Sequence, residues 1–216
     1  MANKEAKSNT LVHDTICLTL ITLIAGIILG GVYTITKKPI EVQEAKTKAE
    51  AYAAVYAGAE FEEDKDLTTK LTAYNEELAA GKVTKGDQTL SDVTVSEVLK
   101  AKVDGQDAGY VATCYAKGYG GNVTLALGID QDGKIKGIQV TDASNETPGL
   151  GQNSTNKDWN SQYVGMDTSK EVTVVKDGTG STDNGSINAI SGATITSKAV
   201  TRAVNGTLNF IASVSK

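Results

Sequence analysis

VTVSEVLKAKV from Val93 to Val103, GYVATCYAK from Gly109 to Lys117, VTLALGI from Val123 to Ile129 and IKGIQV from Ile135 to Val140 are four short runs rich in β-branched and other apolar residues. Their length and composition predict four strands. Asp132-Gly133, between the last two, is a hairpin signal, because glycine accepts the positive φ of a tight turn. A further strand is expected at Val172 to Lys176, followed by a glycine-rich loop from Asp177 to Ser186. Helical spacing then returns: Val200, Ala203, Val204, Leu208 and Ile211 recur at three- and four-residue intervals and predict a closing amphipathic helix. Strands in succession followed by a helix fit an α+β domain, an antiparallel sheet with packed helices, better than an alternating doubly wound fold.

Upstream of the strands the character of the chain changes. Asp64 to Gln88 is polar, with Gly81 and Gly86, and reads as a loose connector holding one short helix at Leu67 to Ala80. Glu41 to Ala57 is rich in Ala, Glu and Lys, good helix formers. Before it, TICLTLITLIAGIILGGVYTIT from Thr15 to Thr36 carries no charge. As a helix it would extend roughly 33 Å, enough to cross the hydrocarbon core of a bilayer. A cleaved signal peptide would have a shorter apolar core and a small-x-small exit, which the following Tyr33-Thr34-Ile35-Thr36-Lys37-Lys38 does not offer. The expected plan is a tail over 1–14, a single transmembrane helix over 15–36, a helical connector over 37–90 and one domain over 91–216. Lys4 and Lys7 precede the span and Lys37, Lys38, Lys46 and Lys48 follow it, a count that by itself would leave the large C-terminal part in the cytoplasm.

Composition excludes several function classes. A net charge of −5 and a pI near 5.0 argue against a nucleic-acid partner, which needs concentrated Lys and Arg. Cys17 lies in the apolar run and Cys114 in a predicted strand, so a disulfide between them is not expected. His13 is the only histidine and no CxxC or HxxxH spacing occurs, so no metal site is expected. Redox chemistry in this chain would need an organic cofactor.

Three segments carry the chemistry. Ser191-Gly192-Ala193-Thr194-Ile195-Thr196-Ser197 sits where the glycine-rich loop gives way to the final helix. Free backbone N–H groups and the positive end of the helix dipole suit a phosphate there, and Gly192 and Ala193 leave room for close approach. Ser191 is the expected cap; an ordinary capped helix start accounts for the same residues. Glu146-Thr147-Pro148-Gly149-Leu150-Gly151 contains a turn signal, Pro-Gly. Lys117-Gly118-Tyr119-Gly120-Gly121 is a glycine-rich turn that brings backbone close to a flat ring or simply reverses the chain.

SGATITS resembles the flavinylation motif of the FMN-binding domain found in the G subunit of Rnf complexes and in the C subunit of the sodium-pumping NADH:quinone reductase. The E-T-P-G-L-G and K-G-Y-G-G segments resemble loops of the same family, in the same order. The resemblance implies FMN joined by a phosphoester to Thr194 and installed by a flavin transferase that uses FAD. It further implies a flavin pocket formed by Ser191, Gly192, Ala193, Thr196, Glu146, Thr147, Gly149, Leu150 and Gly151, with Tyr119 near the isoalloxazine. The family often has Asp where Asn188 stands, and His where Ser144 stands. No catalytic acid, base or nucleophile is assigned, since the cofactor carries the chemistry.

By the same resemblance the chain is an electron-carrier subunit of a membrane-bound, ion-translocating ferredoxin:NAD oxidoreductase. Its partners would be the other membrane and iron-sulfur subunits, and its domain would lie outside the cytoplasmic membrane, against the lysine count. Alternative readings are the C subunit of the NADH:quinone reductase and a free-standing, membrane-tethered FMN-binding or sensory module.

Overall fold

The computed structural model describes residues 2–167 and 169–215, with side chains from Val12 onward. It separates into two units, one through Lys46 and one from Thr47 onward.

In the first unit the chain is a single helix, α1, which runs from Ala2 to Val55 and so continues into the second unit. From Val12 it is long and apolar enough to cross a membrane. Three threonine hydroxyls are satisfied within the helix: Thr19, Thr34 and Thr36 each donate to the carbonyl four residues back, at 2.8 Å. That is the arrangement a lipid environment demands of polar groups. The span over 15–36 and the helix-forming stretch over 41–57 run on as one helix without a break. Pro39 lies inside α1 and removes one backbone bond, but good helix formers without glycine follow it and carry the helix on.

The second unit is an α+β domain. Its sheet has the order β1-β4-β5-β6-β7, with β1 at Glu60–Glu62, β4 at Val93–Val103, β5 at Gln106–Lys117, β6 at Asn122–Asp130 and β7 at Ile135–Asp142. Every neighbouring pair is antiparallel. The four long strands, β4 to β7, are those expected, with ends shifted by up to three residues. Between β1 and β4 lie helix α2, Lys65–Ala79, and a small hairpin of β2, Thr84–Lys85, and β3, Gln88–Thr89. The residues expected to form a loose connector are therefore largely ordered. Asp64 caps α2 by accepting the N–H groups of Asp66 and Leu67, and Leu67, Leu71, Tyr74 and Leu78 bury one face of it.

After β7 come a 3-10 turn at Gly151–Thr155, the short helix α3 at Lys157–Asn160, and a parallel pair of β8, Thr173–Val175, with β9, Ser186–Asn188. Helix α4, Thr194–Val214, closes the chain. Its expected apolar face, Val200, Ala203, Val204, Leu208 and Ile211, is wholly buried with α2 and the sheet. Tyr74 on α2 donates to the carbonyl of Gly206 on α4 at 2.8 Å and packs on Phe210. Asn205 binds both backbone groups of Val172, at 2.9 Å each, and so fastens the start of β8 to α4.

The other side of the sheet receives the end of α1. Ala51, Tyr52 and Val55 pack against Leu99, Val111 and Ala126. Tyr52 donates to Glu97 at 2.5 Å, and Lys48 meets the same carboxylate at 2.6 Å. Both faces of the central strands are thus covered, which is why VTLALGI shows so little polar alternation. Gly128 and Gly137 face each other across β6 and β7 and form a bare window on which the backbone of Val55 rests. A Cβ on either would stand 2.7 Å from the Val55 carbonyl oxygen.

Two outcomes are expected. Gly137→Val should lower the unfolding free energy by about 1–3 kcal/mol in a urea titration, the usual cost of overpacking; unchanged stability would mean that α1 does not rest on this window. Burial pushes the Cys114 thiol up to about 12, so almost no thiolate exists near neutral pH. Mass spectrometry should find Cys114 unalkylated in the native chain and alkylated once denatured.

Candidate functional site

The site is built where three loops meet the first turn of α4. Gly192 has φ +73°, a conformation that suits glycine, and turns the chain into the helix. The turn is pinned from behind by Ser197, whose hydroxyl donates to the carbonyl of Ala193 at 3.0 Å and accepts the N–H of Ile190 at 2.9 Å. Ala193 is the residue at the N-cap and supplies no side-chain acceptor. Ser191, expected as the cap, is exposed two residues too early. The helix starts at Thr194 because the Ser197 pin, not a capping side chain, sets the turn. The first-turn N–H groups are therefore left facing outward without a side-chain cap.

Thr194 is half-buried at the head of α4. Its hydroxyl has no hydrogen-bond partner among the described residues. Those of Thr201 and Thr207, farther along the same helix, return to backbone carbonyls at 2.9 and 3.0 Å. The hydroxyl of Thr196 is buried and donates to Glu146 Oε2 at 2.5 Å.

Glu146 is only 2% exposed, and its other oxygen, Oε1, accepts the N–H of Gly120 at 2.9 Å. One carboxylate thus ties together the 117–121 loop, the 146–151 loop and α4. The tie depends on bare backbone. A Cβ at Gly118 would lie 2.4 Å from Oε1, and one at Gly151 would lie 2.4 Å from Oε2 and 2.8 Å from Thr196 Oγ1. At Gly120 it would meet the Asn145 carbonyl at 1.9 Å. The Thr147 to Leu150 segment is a hydrogen-bonded turn, with Leu150 N–H on the Thr147 carbonyl at 3.1 Å and Gly149 at φ +74°. This is the geometry that a type II Pro-Gly turn requires.

Together these segments line a cleft of about 480 Å³, formed by Tyr119, Glu146, Thr147, Leu150, Gly151 and the run Gly192–Thr196. Nine of the residues expected from the sequence line it; Ser191 and Gly149 do not. Ile195 was not expected there. Its signal was present, an apolar residue between two threonines at an exposed helix start, but without the fold it read as part of the helix pattern. Tyr119, Leu150 and Ile195 are 72%, 41% and 52% exposed, and only Val164 joins them among large apolar side chains exposed in the second unit. Three of four exposed apolar side chains gathered at one cleft mark a site that takes an apolar, flat group.

A clamp farther along α4 also went unseen in the sequence. Arg202 holds Asp92 through Nε at 3.0 Å and Nη2 at 2.6 Å, and Nη2 donates to the Lys117 carbonyl at 3.0 Å. It fixes the start of the loop that carries Tyr119 against the helix that carries Thr194. No local pattern announces it, because 110 residues separate the partners.

Asn188, on β9, accepts the Gly180 N–H at 2.9 Å through Oδ1, and its own carbonyl accepts the indole N–H of Trp159 at 2.8 Å. It braces the glycine-rich loop and does not line the cleft.

FMN fits this cleft on its own geometry. Uncapped N–H groups and the Thr194 hydroxyl suit a phosphate, and the exposed faces of Tyr119, Leu150 and Ile195 suit a ring system. Comparison with known proteins agrees. Residues 118–209 match the FMN-binding domain family. The chain is 45% identical over 123 residues to the G subunit of the Na(+)-translocating ferredoxin:NAD(+) oxidoreductase complex of Acetobacterium woodii, covering 56% of this chain and 57% of that one. Against the G subunit of the proton-translocating ferredoxin:NAD(+) oxidoreductase complex of Clostridium ljungdahlii, identity is 29% over 93% of this chain and 91% of the relative. The G subunit of the ion-translocating oxidoreductase complex of Haemophilus influenzae is 30% identical, over 86% of this chain and 82% of its own. With its FMN-binding domain and its apolar N-terminal helix, the chain belongs to the family of G subunits of ion-translocating oxidoreductase complexes.

Proposed function

We propose that the chain is a membrane-anchored electron carrier of an Rnf-type ferredoxin:NAD oxidoreductase, with FMN esterified through its phosphate to Thr194. The observation that carries the attachment is the unpartnered Thr194 hydroxyl at the uncapped start of α4, inside the cleft. Thr196, two residues on, is committed to Glu146 and is not free to react. When bound, FMN supplies the acceptance and release of electrons.

The residues around it do the holding. The first-turn N–H groups of α4 and the helix dipole bind the phosphate. Tyr119, Leu150 and Ile195 would bound the ring and shield its faces from water. In the attachment step the Thr194 oxygen would bond to the FMN phosphorus of FAD as the pyrophosphate bond breaks, with AMP as the leaving group and the hydroxyl proton passing to solvent. A separate transferase performs that step. The remaining membrane and iron-sulfur subunits of the complex are the electron partners, and the flavin domain lies outside the cytoplasmic membrane, where a covalent link prevents loss of the cofactor. Relatives covered over more than four fifths of their length are G subunits, which favours this reading over the quinone-reductase C subunit.

Co-expression with the transferase should give a chain that keeps flavin fluorescence after denaturation and an FMN-sized adduct on the Thr194 peptide. Thr194→Ala should abolish both, and flavin retained by that variant would refute the attachment site. Asn188→Asp should load to the same extent as the parent chain, because a carboxylate oxygen can accept the Gly180 N–H as the amide oxygen does. A large rise in loading with Asp would show that the transferase reads this position directly.

A further inference from the structure

The cleft that takes the flavin is lined by a single carboxylate and by no lysine, arginine or histidine. That carboxylate, Glu146, is 2% exposed, so water screens it poorly. Both of its oxygens act as acceptors, one toward the Gly120 N–H and one toward the Thr196 hydroxyl. It is also held in place, since Gly118 and Gly151 press bare backbone against its two oxygens. Within the lining, positive potential comes from the start of α4, at the Thr194 end of the cleft.

We propose that Glu146 lowers the midpoint potential of the bound FMN. A fixed negative charge in the cleft wall disfavours the gain of negative charge on the ring, and no cationic side chain in the lining offsets it. The carboxylate thereby makes the flavin a stronger electron donor toward its acceptor, in addition to tying the three loops. This inference rests on the FMN reading above.

The test is an anaerobic spectroelectrochemical titration of the full chain in detergent, flavinylated by co-expression, as the parent protein, Glu146→Gln and Glu146→Asp. Glutamine keeps an oxygen for the Gly120 N–H and an NH2 group that can donate to the Thr196 hydroxyl, so the charge is the main change. At the parent midpoint, Glu146→Gln should shift the ratio of reduced to oxidised flavin about tenfold toward reduced. Glu146→Asp, which keeps the charge, should stay within about threefold of the parent. The flavin-free Glu146→Gln chain should still unfold in one cooperative thermal transition, at a midpoint below the parent's because the Thr196 hydroxyl proton loses its acceptor. A Glu146→Gln potential equal to the parent's overturns the proposal. So does an equal shift in both variants, or a glutamine variant that no longer folds or loads while the aspartate variant does, because each of these makes Glu146 a structural tie alone. A parent chain that carries no flavin refutes the cofactor reading itself, and is seen before any variant is compared.

Discussion

The buried carboxylate of Glu146 is the constraint on which the site depends. It joins three segments that lie far apart in the chain: the 117–121 loop through Gly120, its own 146–151 loop, and α4 through Thr196. Leaving either donor unpaired in a buried place costs about 1–3 kcal/mol, so the tie is strongly preferred once the loops meet. They meet only because glycine stands at 118, 120 and 151, where any side chain would collide with the carboxylate or with backbone. The glycines of two motifs thus serve the glutamate of one.

That tie would define little without a rigid frame. Helix α4 supplies it, with its apolar face sunk against the sheet and the buried Thr201, Thr207 and Asn205 satisfied by backbone. The first turn of the helix is set by Ser197 from inside, and the Tyr119 loop is set by the Arg202–Asp92 clamp from two turns farther on. Within this frame the polar groups fall into two kinds. Thr196, Ser197, Thr201 and Asn205 are committed, and Thr194 is free. The one free hydroxyl of this group therefore stands at the helix start, where the helix dipole acts.

Much of the fold was legible because strand and helix periodicities are local. The four long strands and the buried face of α4 follow from apolar spacing over ten residues or so, as do most residues of the cleft from their three glycine-rich motifs. What escaped was decided at a distance. The short helix expected at Leu67 to Ala80 is α2, but the β2–β3 hairpin after it had read as loose connector, and β1 exists only as an edge added to β4. Ser191 looked like a cap from its neighbours, whereas the helix start is set by a hydroxyl three residues inside the helix.

By itself the sequence determined that an uncharged run could span a bilayer, that an antiparallel sheet would follow, and that Thr194 would stand near the head of a helix. Those properties depend on side-chain size, charge and spacing along a few turns or one strand. Only the tertiary structure decided that Glu146 faces Thr196, that Arg202 reaches Lys117, that Ile195 joins Tyr119 and Leu150, and that Val55 rests on Gly128 and Gly137. Each of these contacts joins residues tens of positions apart, and no local pattern encodes a distance that the packing of the whole domain sets.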